Sequence, residues 1–475
     1  MAGLRARGLG PGDRVAVVAG NSAEYLILAL ALAHMGAVLV PLNCRLQPRE
    51  LAVLVQRSAA VAIASDSGFA AAIDAVLERV GDVGLRLDLS AGLGHGFIAL
   101  GTLIDAHRGA VEAPWPCTDA SLLRVMYTSG TTSAPKGVQL SHGNCWANMH
   151  AHAVEFALSH EDRLLLVAPL YHVGGFDIPG LSVLHAGGTL VVQRSFDAPQ
   201  MLRAIEEEVV TGTTLVATMM SMILEVAEHE HCDVTSLRWI ITGQFTPALY
   251  RRAAELFSKA SLREGYGMTE SCGGVTYMDP NRAGDKPGSV GLPVPGVEIV
   301  VADEDGEPLP AGETGEILLR GPKICAGYVD DPDASAAALR NGWLHSGDAG
   351  RFDEDGFLYV QDRIKDMIRS GGENMSASEI EQVLISAETV ADAVVIGVPD
   401  PRWVEVPAAF LVADNGVPLD WESLLQHCCE HLPGFKIPRE FYLLGELPRN
   451  ESAKVQKAEL RSVAGTRKPD WRRQT

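Results

Sequence analysis

The sequence predicts an α/β protein in two parts: a large N-terminal part built on parallel sheets with a small β region at its end, and a small α+β domain after it. Three observations carry this prediction. Short apolar runs alternate with helical stretches from residue 15 onward, the pattern of a parallel sheet covered by helices. From about Gly288 the texture changes to frequent Gly, Pro and acidic residues around short apolar runs, which reads as antiparallel β structure. Near Lys365 that texture ends and a fresh α/β pattern begins.

The individual elements follow in order. Residues 15–18 form an apolar run, and Asn21-Ser-Ala-Glu24 reads as a capping box that starts a helix to about Met35. Gly36 ends that helix and 37–40 is the next strand; 48–56 reads as helix and 60–64 as strand. The alternation returns at 164–168, 189–192, 199–208 (helix) and 213–217. The β region has runs at 297–301, 316–320 and 357–360. Beyond it, 377–385 is helical, 391–397 and 408–413 are strands, and 421–431 is helical. The predicted division is 1–363, 364–466, and a polar, basic tail at 467–475 expected to be disordered.

Composition narrows the function. At 475 residues the chain exceeds one ordinary domain. It is 47% hydrophobic and 21% charged, enough to bury a large core. A net charge of −21 argues against nucleic acid and anionic membranes as partners, so any phosphate ligand must be held locally. Eight irregularly spaced cysteines, with no CxxC pair, argue against a disulfide framework or zinc site and fit a reducing cytoplasm. The start has no apolar leader core, and the apolar stretch 25–42 is interrupted by His34 and Gly36, so it reads as a buried helix and strand rather than a membrane span.

The strongest local signal is Tyr127-Thr-Ser-Gly-Thr-Thr-Ser-Ala-Pro-Lys-Gly137, directly after the apolar run 122–126. Hydroxyls, glycines and one lysine at a strand-to-loop turn suit a triphosphate, because amides and hydroxyls can donate to its oxygens. Pro135 before Lys136 rules out a Walker A loop, and with it the ordinary P-loop NTPase.

Here the sequence resembles the adenylate-forming superfamily of acyl-CoA synthetases, luciferases and peptide-synthetase adenylation domains. After the phosphate loop come, in the family's order, Pro169-Leu-Tyr-His172, Gly265-Tyr-Gly-Met-Thr-Glu270, Gly342-Trp-Leu-His-Ser-Gly-Asp348, Asp362-Arg-Ile-Lys-Asp366, Ser370-Gly-Gly-Glu-Asn374 and Pro448-Arg-Asn-Glu-Ser-Ala-Lys454. Within the family it is most similar to bacterial fatty-acyl and aryl CoA ligases. The resemblance implies an enzyme that uses Mg²⁺ and ATP to adenylate a carboxylic acid, then passes the acyl group to CoA. Two anions must meet in that chemistry, so charge neutralisation and positioning dominate.

The resemblance also assigns residues. Thr128, Ser129, Gly130, Thr131, Thr132 and Lys136 would hold the phosphates. Thr269 would contact the α-phosphate and Glu270 the Mg²⁺. Tyr266 would stack on adenine beside Gly267, Gly243 and Gln244. Asp348 would accept from the ribose hydroxyls, with Arg363 close by. Lys454 would reach the reacting oxygens. His172, Val173, Gln244, Phe245, Cys272, Gly273 and Gly274 would line an acid pocket. That pocket should be compact and favour aromatic or medium-chain acids, since Phe245 could block a long tunnel. A mobile C-terminal domain, rotating about Lys365, would exchange Lys454 for the 370–374 loop between the two half-reactions.

The chain departs from the family pattern at several positions. Ser133 stands for a glycine of the phosphate loop, and Gly243-Gln-Phe-Thr-Pro247 for Gly-Gly-Ala-Pro. Ala377, Val404 and Ala453 replace a proline and two glycines in the C-terminal part, and relatives usually carry a few tens of residues before the strand at Val15. Two of these changes fall on the side serving thioester formation. The alternative acceptors are therefore a carrier-protein thiol, an amine, or nitrite in diazotase-type chemistry. A non-catalytic nucleotide-binding relative would be expected to lose Lys454 or Glu270, and both are present. The oligomeric state is open, a homodimer included.

Overall fold

A computed structural model of the chain describes residues 1–94, 96–128, 135–229, 232–243, 245, 247–370, 373–400, 403–414, 419–434, 436–449 and 455–473. The first sheet has seven strands: β1 (Arg14–Val18), β2 (Val38–Pro41), β3 (Ala62–Ser65), β4 (Leu85–Asp88), β5 (Ile98–Ala99), β6 (Leu122–Thr128) and β7 (Lys136–Ser141), in the order β5-β4-β3-β1-β2-β6-β7. All neighbours are parallel except β6 and β7, which are antiparallel. Alternate residues feed two cores. Val15, Val17, Leu39, Ala62 and Leu87 pack under the helix Ala23–Met35. Ala16, Val18, Val38, Val40 and Ile63 pack under the helices Pro48–Arg57 and Ala70–Val80. A sheet buried on both faces needs continuous apolar strands, which is what the sequence supplied.

A second seven-stranded sheet comprises β8 (Arg163–Leu166), β9 (Thr189–Val192), β10 (Gly212–Val216), β11 (Trp239–Gly243), β12 (Ser261–Met268), β13 (Gly273–Tyr277) and β14 (Leu292–Pro293), in the order β14-β13-β12-β11-β10-β8-β9. Its β8 to β12 neighbours are parallel, and β13 turns back antiparallel to β12. Helices Ala198–Glu207, Ala217–Ala227 and Pro247–Leu256 cover one face through Met201, Leu202, Ile205, Ile223 and Ala253.

The chain divides into two compact units: Met1–Ile299, Leu318–His345 and Gly356–Leu358 in the first, and Val300–Ile317, Ser346–Asp355 and Tyr359–Thr475 in the second. In the second unit, Val390–Asp400 and Val404–Ala413 form a long antiparallel pair, and the latter runs parallel to Glu440–Leu444. Val395, Ala409 and Leu411 face the helices Ala377–Ile385 and Trp421–His431. Val394, Ile396 and Phe410 face the other side, against Leu460 of the helix Lys457–Thr466.

Two sequence expectations need correction. The first helix is capped by Ser22, whose side chain accepts from Tyr25 N, and not by Asn21. Asn21 is buried instead: its amide donates to the Ala168 and Gln193 carbonyls and accepts from Leu170 N, tying the end of β1 to the second sheet's loops. The basic tail is not disordered through its length. Trp471–Arg472 adds an antiparallel strand beside Glu440 and Phe441, and Trp471 packs against Trp421 and Phe441. One large aromatic ring supplies the burial that a polar segment otherwise lacks. Among the described residues, no helix is long and apolar enough to cross a membrane.

Candidate functional site

The phosphate-loop sequence begins and ends on one hairpin. Thr128 at the end of β6 lies opposite Lys136 at the start of β7. Ser129, Gly130, Thr131 and Thr132 lie outside the described residues, as do Gln244 and Lys454. The Lys136 ammonium sits 4.9 Å over the ring of Tyr328, and the Tyr328 hydroxyl donates to Glu270 Oε1 at 3.0 Å. A cation and a carboxylate are thus set on one phenol. Tyr328 went unnoticed in the sequence, although it follows Gly327 in the segment that bridges to Val138 of β7.

Glu270 is fixed from several sides. Thr269–Ser271 is a single 3-10 turn between β12 and β13. Ser271 Oγ accepts from Met268 N at 3.1 Å and lies 2.8 Å from the Gly273 carbonyl, while Cys325 N donates to the Glu270 carbonyl at 2.7 Å. Tyr266 and Gly267 stand on β12 just before the turn. A Cβ at position 267 would come 2.2 Å from the Gly273 carbonyl oxygen, so only glycine lets β13 fold back this closely. Gly243 ends the neighbouring strand β11.

The predicted acid-pocket residues do not all face one space. His172 caps the short helix Val173–Phe176, its Nδ1 accepting from Gly174 N at 3.1 Å. That bond leaves Nε2 to carry the proton in the neutral ring. Val173 and Cys272 are buried side chains of a cluster with Met126, Cys145, Cys325 and Tyr328. They lie in the core, because residue 272 adopts a left-handed turn that directs its thiol to 3.6 Å from Cys145 Sγ. Phe245 packs against the helix-covered core of the second sheet. Gly273 and Gly274 form the start of β13.

Beneath this segment lies a buried polar layer that the sequence reading missed. Arg124 of β6 donates to both carboxylate oxygens of Asp177 and to Cys145 Sγ. Burial works against its charge, but Asp177, Cys145 and Cys272 together more than restore it. Lys323, also buried, donates to the Gly274 carbonyl, and burial pushes its ammonium down to about 8. Burial, reinforced by Lys323, holds His152 well below the usual histidine range; its ring lies 3.1 Å from the Tyr277 hydroxyl and 3.4 Å from Ser182 Oγ. Cys145, Asp177 and Cys272 are close enough together to hold a metal ion, but the Arg124 guanidinium already bonds two of them. The available signal was a lone arginine inside the apolar run 122–126, since a charge there must be paired.

In the second unit the two predicted ribose residues are together. Asp348 is nearly buried on the strand Trp343–Phe352, and Arg363 Nε lies 3.2 Å from its Oδ1. Ser346 Oγ accepts from Asp348 N at 3.0 Å, and Gly347 N donates to Glu316 Oε1 at 3.0 Å, fixing the carboxylate's turn. The backbone of Lys365 lies in the 3-10 turn Ile364–Asp366. Ser370 and Glu373 are paired between the antiparallel strands Ile368–Ser370 and Glu373–Met375.

Two parallel-sheet layers, a hydroxyl- and lysine-bearing hairpin beside an anchored glutamate, and a separate α+β unit define the class: the chain belongs to the AMP-binding enzyme family. The family's AMP-binding enzyme model matches residues 2–329, and its AMP-binding enzyme C-terminal domain matches residues 379–454. Among curated proteins the chain is 38% identical over 463 residues to a feruloyl-CoA synthase of an Amycolatopsis species, covering 98% of this chain and 91% of that one. It is 36% identical to an indoleacetate–CoA ligase of Aromatoleum aromaticum, covering 97% and 90%. Among solved structures, the o-succinylbenzoate CoA synthetase of Bacillus subtilis in complex with its acyl-adenylate intermediate superposes with a TM-score of 0.83 at 32% identity, covering 99% of this chain and 91% of that one.

Proposed function

We propose that this protein is an ATP-dependent acid–CoA ligase: it adenylates a carboxylic acid with release of pyrophosphate, then transfers the acyl group to CoA with release of AMP. The observation that carries this reading is the Lys136–Tyr328–Glu270 arrangement beside the phosphate-loop hairpin, in a chain of this family. A cation over the ring of one phenol and a carboxylate on its hydroxyl are ready to receive phosphate oxygens and a divalent cation.

In this reading Thr128 to Gly137 hold the β- and γ-phosphates and Thr269 hydrogen-bonds the α-phosphate. Glu270 offers a hard oxygen ligand that suits Mg²⁺, which would neutralise phosphate charge. Tyr266 stacks on adenine next to Gly267, Gly243 and Gln244. The Asp348 carboxylate, oriented by Arg363, accepts from the ribose hydroxyls. Lys454 neutralises the charge that develops as the acid oxygen attacks, a contribution on the order of 3–4 kcal/mol for a well-placed donor in a dry site. His172, Gln244, Phe245, Gly273 and Gly274 border the acid, and an aryl acid fits the reading best, since the feruloyl and indoleacetate relatives are both named for aryl acids. The second half-reaction turns the C-terminal domain about Lys365, bringing the 370–374 segment toward the thiol.

The test is acid-dependent ATP–pyrophosphate exchange with Mg²⁺ across a panel of aryl, medium-chain and long-chain acids, followed by CoA, carrier-protein thiol and amine acceptors. AMP and pyrophosphate should form with an acid, and an acyl-CoA should follow. Release of ADP in place of AMP would sink the reading, and adenylation without transfer to CoA would move the acceptor to one of the alternatives. Faster turnover of palmitate than of every aryl acid would refute the compact pocket.

A further inference from the structure

The fully buried side chain of Asn148 has one end fixed and one end empty. It lies on the helix His142–Glu155, and its Nδ2 donates to the Asp177 carbonyl at 3.2 Å. Asp177 is itself immobilised by the ion pair with Arg124, so the amide's orientation is set by its donor end. That leaves Oδ1 as an acceptor, and no hydrogen-bond donor reaches it among the described residues. A buried acceptor without a donor is costly, and native structures rarely keep one without a reason.

Oδ1 faces Gly273. A Cβ built on Gly273 would find Asn148 Oδ1 at 3.9 Å and the Ile178 side chain at 2.8 Å, and nothing else nearer. Gly273 is the first residue of β13, three positions after Glu270, and Ile178 follows the His172–Asp177 segment. The empty acceptor therefore lies where the two segments assigned to the acid pocket approach each other.

We propose that Asn148 is a specificity-determining residue that accepts a hydrogen bond from a hydroxyl at the far end of the acid, and that the preferred substrates are ring-hydroxylated aryl acids. This rests on the acid-ligase reading above. A rigid ring delivers the hydroxyl at a fixed distance from the carboxylate, so the bond forms without ordering a flexible chain. An acid lacking the hydroxyl leaves Oδ1 empty, and a methyl ether of the same acid fills the space but brings no donor. Loss of one hydrogen bond to a buried neutral partner corresponds to a discrimination of about tenfold to a hundredfold.

The experiment compares kcat/KM in pyrophosphate exchange for three matched acids, cinnamate, 4-hydroxycinnamate and 4-methoxycinnamate, first with the wild-type protein. The hydroxy acid should exceed both others by about tenfold or more. In Asn148→Leu, and in Asn148→Ala if the leucine variant does not fold, the ratio of hydroxy to unsubstituted acid should fall toward one. Exchange with some acid, but with equal use of hydroxy and methoxy acids by the wild type, would overturn the assignment while leaving the ligase reading intact. So would a ratio that survives both substitutions. No exchange with any acid in the broader panel would instead remove the ligase reading itself.

Discussion

Arg124→Met should be among the most damaging single substitutions in the first unit. The side chains of Arg124 and Asp177 are 2% and 0% exposed, and the guanidinium bonds both carboxylate oxygens and Cys145 Sγ. Removing it leaves a buried carboxylate without its hydrogen-bonded counter-charge. Breaking one side of such a pair costs about 3–5 kcal/mol. The double variant Arg124→Met/Asp177→Leu removes both charges and should fall between near-neutral and about 1–4 kcal/mol more stable than wild type. The pH dependence has a definite sign. Burial already raises the Asp177 carboxyl, with Arg124 opposing it, so without Arg124 it rises further. Between the unfolded carboxyl value of about 4 and that raised value, the folded variant holds a proton that the unfolded chain releases. The wild-type carboxyl is raised too, but less, so the variant's deficit grows as pH rises from the wild-type value to the variant's and shrinks as pH falls back through that window. Urea unfolding followed by tryptophan fluorescence, at several pH values, measures all of this. A loss below about 1 kcal/mol in Arg124→Met, or a double variant as unstable as the single, would refute the reasoning.

Three further outcomes are expected. Lys454→Ala should abolish adenylate formation while leaving ATP affinity nearly intact, because a contact made in the transition state lowers turnover more than ground-state binding; calorimetry showing lost ATP affinity in the folded variant would count against it. Lys365→Pro should slow transfer from preformed adenylate to CoA far more than pyrophosphate exchange, since proline fixes φ where a hinge needs freedom; equal losses would make Lys365 merely structural. Lys323 titrates near 8 when folded, against an ordinary lysine value of 10.5. The unfolded chain therefore holds more protons between those values, and wild-type stability should rise with pH across that window relative to Lys323→Met. A flat difference would mean that Lys323 is not neutralised by burial.

The sequence by itself determined the two-part α/β fold, because a sheet buried on both faces leaves unbroken apolar runs such as 15–18 and 37–40, and helices leave their own period and caps. It also singled out candidate residues that are local to a motif and that the fold keeps together: Thr128 and Lys136 flanking one loop, Thr269 and Glu270 on one turn, and Asp348 with Arg363. It misread Asn21 as a cap, since a side-chain acceptor at a helix start looks the same whether it caps that helix or reaches another segment. It could not find Tyr328, Lys323, His152 or Asn148, which share no motif and meet only when the helix His142–Glu155, β13 and the segment after Arg320 pack together. Nor could it see that Cys272 turns into the core while Gly273 stays close to an empty acceptor. Strand and helix identity depend on neighbours a few residues apart, and one chain records those. Which donors and acceptors are left unpaired depends on burial and on partners from about thirty to more than a hundred residues away, and only the packed tertiary structure decides that.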